Sequence, residues 1–433
     1  MRVSAVQKPI NRSSFSTVWV EGTVRFATTG ERCFAGLLFV ASAAATLTIA
    51  VPSPLAAWGY ALVVIVCAAV GASSSARDSN ASGLALVRQV GLWAIASCGA
   101  LQLLTGATVY RYATFDAWTR IVALIATVAI AESVLLNRAL RALFLKAFVW
   151  FAAIISVIGV LTYYTSPGKV LWIFPSPYPD TWGPFLSRNN FAAFLELAFP
   201  VALWLGLTAP LSRRALQKLR RRNSGYAASK PVGNSLYLLL AAWMLAAGFA
   251  SASRAGSALL LAEAIVILST SGTKRMAMRF GAIACLLAAL VGIGTLLHRW
   301  DDSDPLRFRR EMQQSALEMV RERPIRGFGI GTFARVYPAH AHFDLGASVE
   351  HAHNDWLEWA AEGGLPYALA WVVVAVSVVK PAVRSIWGLG VLAVFLHAFV
   401  DYPFARFGVS AWTMTLIGAL CADEMREVPV RAH

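Results

Sequence analysis

A chain of 433 residues that is 58% hydrophobic and only 14% charged is not a soluble domain, in which about a quarter of residues are charged. The net charge of +15 would suit nucleic acid, but the basic residues lie between long apolar runs, the distribution that orients a membrane protein. Five cysteines, Cys33, Cys67, Cys98, Cys285 and Cys421, lie in or beside those runs without close spacing, which argues against a disulfide framework or a zinc set.

The N-terminal segment is basic and serine-rich (Arg2, Lys8, Arg12, Ser13, Ser14). The first apolar run begins near Cys33, is too long for a signal-peptide core and reads as a retained helix. Runs long enough to cross a hydrocarbon layer of about 30 Å follow. They lie near 33–51, 55–72, 84–104, 117–136, 142–164, 190–208, 235–252, 255–271, 281–297, 364–383, 386–402 and 407–422. The pattern predicts an all-α polytopic membrane protein of about 12 transmembrane helices. It divides into residues 1–297 with about nine helices, a large helical loop at 298–363, and residues 364–433 with about three. No internal repeat supports an inverted-repeat transporter.

Arginine and lysine counts orient the chain. Arg138, Arg141 and Lys146, the cluster from Arg213 to Lys230, and Lys380 with Arg384 mark the cytoplasmic loops, so both termini are expected in the cytoplasm. Arg188, Arg254, Asp401 and the 298–363 loop then share the outer face, with five of the seven histidines: His298, His340, His342, His351 and His353. Within the loop, Met312, Ala316, Met319 and Val320 form the stripe of an amphipathic helix. Pro324 ends it, and Gly327-Phe328-Gly329-Ile330-Gly331 makes a turn that lacks the Lys-Ser/Thr pair of a nucleotide phosphate loop. The cluster from Arg213 to Lys230 reads as an orientation signal that meets anionic lipid.

Chemistry concentrates in His351-Ala352-His353-Asn354-Asp355-Trp356-Leu357-Glu358. Asp355 and Glu358 have capping-box spacing, opening a helix that would stop near Gly363 and Gly364. The histidines are not needed by the cap and face a ligand in the sharper reading, one as a general base because imidazole titrates near neutral pH. His340-x-His342 and His351-x-His353 also offer paired imidazoles to a metal, but without cysteine or an H-E-x-x-H spacing. Arg188 and Arg254, at span edges, either snorkel to the interface or hold a phosphate or pyrophosphate, whose geometry suits the guanidinium fork.

In this order the motifs resemble the O-antigen ligase and polymerase superfamily, membrane glycosyltransferases that use polyprenyl-linked sugars. They are Ser187-Arg188-Asn189-Asn190-Phe191-Ala192, Ser251-Ala252-Ser253-Arg254-Ala255-Gly256, the stretch Pro324 to Phe333, and His351 to Glu358 leading to Glu362-Gly363-Gly364. His397 with Asp401-Tyr402-Pro403 is a weaker fifth, and the resemblance spans roughly 180–405. It implies a GT-C-like fold with its active face in the periplasm of a bacterial inner membrane. The donor would be a glycan on undecaprenyl pyrophosphate, the acceptor lipid A-core, with membrane lipids as surroundings and neither a metal, a cofactor nor nucleic acid involved. It places the essential histidine at His353 with His351 close by, pyrophosphate contacts at Arg188 and Arg254, and further substrate contacts at Asn189, Arg326 and Asn354. The family commonly shows a second glycine where this chain has Tyr367.

The resemblance leaves a ligase, which passes the glycan to lipid A-core, ahead of a polymerase, which passes it to another lipid-linked glycan. A chain ending about ten residues after its last span is not expected to transfer to protein. An anion transporter is the reading from another class; polar residues gathered at one surface suit an interfacial enzyme better.

Overall fold

The computed structural model describes residues 27–48, 54–72, 83–176, 178, 180–207, 233–270, 278, 280–284, 286–287, 307–343, 346 and 348–424. The N-terminal basic segment, the cluster at 213–230, most of the expected span at 281–297, and His298 lie outside the described residues.

The described chain is almost wholly helical. α1 (Thr29–Leu47), α2 (Pro54–Ala72), α3 (Gly83–Thr105), α4 (Arg111–Val134) and α5 (Arg138–Thr165) lead to a short antiparallel pair, β1 (Lys169–Val170) and β2 (Phe174–Pro175). α6 (Arg188–Leu207), α7 (Gly233–Ala250) and α8 (Arg254–Thr270) follow. α9 (Arg307–Glu322) and α10 (Phe333–Val336) precede α11 (Asp355–Arg384), α12 (Leu389–His397) and α13 (Phe407–Glu424). A helix stands at every expected span that is described in full, and residues 281–284 and 286–287, the described part of the span at 281–297, are helical as well. α1, α3, α4, α5, α6 and α11 are long and apolar enough to cross a membrane; α2, α7 and α12 contain shorter apolar stretches. The protein is an all-α membrane protein.

Composition explains which helices take the centre. α6 is apolar all round, and nearly every residue from Asn190 to Gly206 is buried, as a helix without a polar face requires. α13 is buried from Gly408 to Ala422, with Trp412 set among Phe39, Phe144, Phe148 and Phe151. Outer helices instead turn large apolar side chains outward, among them Leu37, Val40, Leu62, Trp93 and Leu104, a surface suited to lipid.

Two polar clusters mark the ends of the bundle. At one, Arg141 pairs with Asp423, Ser385 donates to Asp423 over 2.7 Å, and Arg88 lies 3.7 Å from Glu424. The other gathers the end of α3 and the starts of α6, α8 and α11. Gly256 in the first turn of α8 lies so near α6 that a Cβ there would come 2.4 Å from that of Ala192.

The 307–343 segment covers this second end and has a small core of its own. Ala316, Met319 and Val320 of α9 pack with Phe328, Phe333, Val336 and Tyr337 against Ala352, Ala360 and Ala361, with Met312 at the margin. This is the apolar stripe that the spacing in α9 predicts. The glycine turn is held from below. Gln102 of α3 donates to the carbonyls of Arg326 and Glu362 and accepts from the Ile330 N–H, while the Phe333 N–H donates to Glu362 Oε1 over 2.8 Å. Its amides therefore bind the protein's own carboxylate. At Gly327, φ is +62° and a Cβ would meet the Glu362 carbonyl at 2.2 Å, so only glycine fits.

α11 breaks where a stop is expected, at Gly364 (φ +78°, ψ 173°), then resumes to Arg384. Tyr367 is 1% exposed and lies over Gly363, where a Cβ would come 2.4 Å from the ring.

Candidate active site

The start of α11 differs from the expected capping box. Asn354 is the N-cap, its side chain accepting from the Leu357 N–H over 3.1 Å, and Asp355 is already helical. The carboxylates are freed for longer-range work. Asp355 accepts from the Phe404 N–H over 2.9 Å, and Glu358 lies 2.8 Å from His351 Nδ1 while accepting from the Ala352 N–H. An Asx cap needs only one side-chain oxygen, so Asn354 does what the spacing assigned to Asp355.

His353 sits just ahead of the cap in the left-handed region, φ +51°, which costs a non-glycine residue about 1 kcal/mol or more. Two contacts hold it there. Gln313 of α9 donates to its carbonyl over 3.2 Å, and its Nδ1 lies 3.0 Å from Oδ1 of Asp401, in the turn between α12 and α13. Asp401 is 1% exposed and accepts from the Tyr402 N–H, and Arg309 of α9 stands 3.9 Å from its other oxygen. Burial alone would raise its pKa. The His353 hydrogen bond and charge, with Arg309, outweigh burial and hold this carboxyl well below the usual range.

Tyr402 links the two histidines. His351 stacks on its ring at 4.5 Å and 26°, and His353 meets the ring edge-on at 4.7 Å. Arg406 donates to the Tyr402 hydroxyl over 3.3 Å. Burial pushes the phenol up, with Arg406 opposing and Asp401 and Tyr178 adding to it. Each histidine thus has Nδ1 against a carboxylate, which leaves Nε2 as the nitrogen to meet a ligand.

Two of the arginines open helices. Arg188 opens α6 and is 3.1 Å from Asp180, two residues past Tyr178, and Asn189 follows it in the first turn. Arg254 opens α8, exposed, and the Gly256–Ala192 contact makes the two helix starts neighbours. Two helix N-termini, each with a guanidinium, concentrate positive potential at one place. Arg326 lies on an open groove of about 540 Å³, lined also by Ala107, Arg323, Pro324, Ile325 and Gly327.

His340 and His342 turn to the outer segment. His340 Nε2 lies 2.9 Å from Glu322, and His342 bridges Glu311 at 3.1 Å and Glu318 at 3.0 Å. Those two glutamates raise the pKa of His342. Burial works to raise that of Glu311, but hydrogen bonds and charge from His342 bring it below its usual value. Among the described residues no three His, Cys, Asp or Glu side chains form a metal-binding group.

Sequence reasoning placed Asp401 on this face without a role, and missed Glu358 as a histidine partner and Tyr402 as the ring between the histidines. The Asp401-Tyr402-Pro403 motif was the available signal; the Glu358 pairing depends on the backbone fold at 351–354. Residues 239–372 match the family model described as O-antigen ligase, a stretch that includes Arg254, Arg326, His351, His353 and Asn354. No curated protein matches the chain.

Proposed function

We propose, from the match of residues 239–372 to the O-antigen ligase family, that the chain moves an O-antigen-type glycan from undecaprenyl pyrophosphate to lipid A-core. The observation that carries the reading is the His353–Asp401 pair, set at the same end of the bundle as two arginine-headed helices.

The acceptor hydroxyl attacks the anomeric carbon while the bond from that carbon to the pyrophosphate oxygen breaks. His353 Nε2 takes the hydroxyl proton, and Asp401, ionised beneath it, orients the ring and stabilises the imidazolium. Arg188 and Arg254 stabilise charge on the departing pyrophosphate, which supports a route that needs no metal. A single displacement inverts the anomeric centre. His351, stacked on Tyr402 and braced by Glu358, lines the acceptor side, with Asn189 and Asn354 at the margins. The site faces the periplasm, with both termini in the cytoplasm, as the loop charges support.

The test is transfer by purified protein from a polyprenyl-pyrophosphate glycan, with and without lipid A-core, in excess EDTA. Product that requires lipid A-core is the expected result. Longer lipid-linked glycan without that acceptor means polymerase, and transfer restored only by zinc sinks the proposed mechanism.

A further inference from the structure

α6 and α8, the two helices that open on Arg188 and Arg254, each carry one carboxylate deep among apolar side chains, Glu196 and Glu263. α12 ends on His397, whose Nδ1 lies 2.7 Å from Oε1 of Glu196; the two side chains are 1% and 0% exposed. Oε2 of Glu196, Nε2 of His397 and both oxygens of Glu263 have no hydrogen-bond partner among the described residues. Ionisable groups at such depth are costly, and apolar residues would join the helices at lower cost. The polar pair therefore brings something other than stability.

What it brings is register. Gly390 of α12 lies against the Glu196 backbone, where a Cβ would come 2.2 Å from the carbonyl oxygen, so α12 is seated on α6 at Gly390 as well as at His397. The carbonyl of His397 accepts from the N–H groups of Val400, at 2.9 Å, and Asp401, at 3.0 Å. The residue paired to α6 thus closes the turn that aims Asp401 at His353. Along α6, Glu196 stands about 12 Å from Arg188 by helical rise.

We propose that Glu196 and His397 are positioning residues, whose buried pair fixes the arginine-headed helix α6 relative to the turn that carries Asp401. Donor-holding charge and base are thereby set at one spacing, a requirement of transfer between two oriented substrates. The inference rests on the transferase reading above.

The test uses the full chain in lipid nanodiscs with the same donor and acceptor. Glu196→Leu is expected to lower kcat at least tenfold with donor KM within threefold. Glu196→Gln, which keeps an acceptor for His397, should restore kcat to within threefold of wild type. Added to Asp401→Asn, Glu196→Leu should cause no further loss beyond threefold, because both act through one carboxylate. Where Glu196→Leu does not fold, His397→Asn, too short to reach Glu196, is read the same way. An unchanged kcat per folded molecule, or losses that multiply in the double variant, overturns the proposal. Absence of transfer by wild type would instead sink the transferase reading.

Discussion

The imidazole of His353 and the carboxylate of Asp401 meet at 3.0 Å across 48 residues of chain, and the histidine adopts a left-handed backbone to make the contact. Asp401→Asn keeps the shape and removes the charge. It is expected to lower turnover about 10²–10⁴-fold, the range over which proton transfer by a positioned group contributes, with donor binding retained. Single-turnover transfer beside donor binding checks this; equal loss of both would make Asp401 a binding residue.

The low pKa of Asp401 also fixes the pH at which its contribution to folding disappears. A carboxyl whose folded pKa is depressed adds stability above its ordinary pKa of 3.8 and loses it as pH falls through the lower folded value. The stability gap between wild type and Asp401→Asn should therefore close as pH falls from 3.8 through the folded value. Thermal melts across that range, in one detergent, provide the comparison.

Arg188 and Asp180, each about one-third exposed at 3.1 Å, form an ion pair that contributes little to stability. Arg188→Ala should abolish transfer with membrane insertion intact, and Arg188→Lys should recover little, since the ammonium lacks the fork. Asp180→Asn should keep transfer within threefold. Wild-type activity in Arg188→Ala would return this arginine to a snorkelling role.

His342 titrates against Glu311 and Glu318 at the surface of the outer segment. A raised histidine pKa contributes fully below the ordinary value of 6.5 and is lost as pH rises through the folded value. The lowered Glu311 contributes above 4.5 and is lost as pH falls through its folded value. The clamp is therefore strongest between those ordinary values and loosens in alkali. Hydrogen exchange over 307–343 should quicken from pH 6 to 9 beyond the intrinsic rate, and His342→Gln should remove that excess.

Tyr367 lies over the bare Cα of Gly363. Tyr367→Ala leaves a hole under the break in α11 and should cost about 3–5 kcal/mol, seen as a lower melting temperature. Donor KM should hold, because the ring does not touch the arginines.

Helices at the described spans were legible because twenty-residue apolar runs have few alternatives in a membrane. The α9 stripe of Ala316, Met319 and Val320 was legible for a similar reason, since one periodicity served one face. The cap was misread because Asn354 and Asp355 are chemically equivalent starters, and only the distant Phe404 N–H decides between them. Motif order did not show that Arg326 lines an open groove with Ala107 of the α3–α4 connection. The Glu196–His397 pair joins residues 201 positions apart on apolar helices, a contact that no local pattern encodes.

Before the break at Gly364, the first turns of α11 send Ala360 and Ala361 into the outer core with Ala316, Phe328 and Phe333, while Trp356 and Trp359 pack on the bundle. A chimera that exchanges the outer segment would take 307–364 as its cassette. The cassette packs against Gln102, which hydrogen-bonds to Arg326, Ile330 and Glu362, and against Thr108, which crowds Gly329. The end of α3 and the α3–α4 connection must therefore travel with the cassette, or the graft will arrive without its socket.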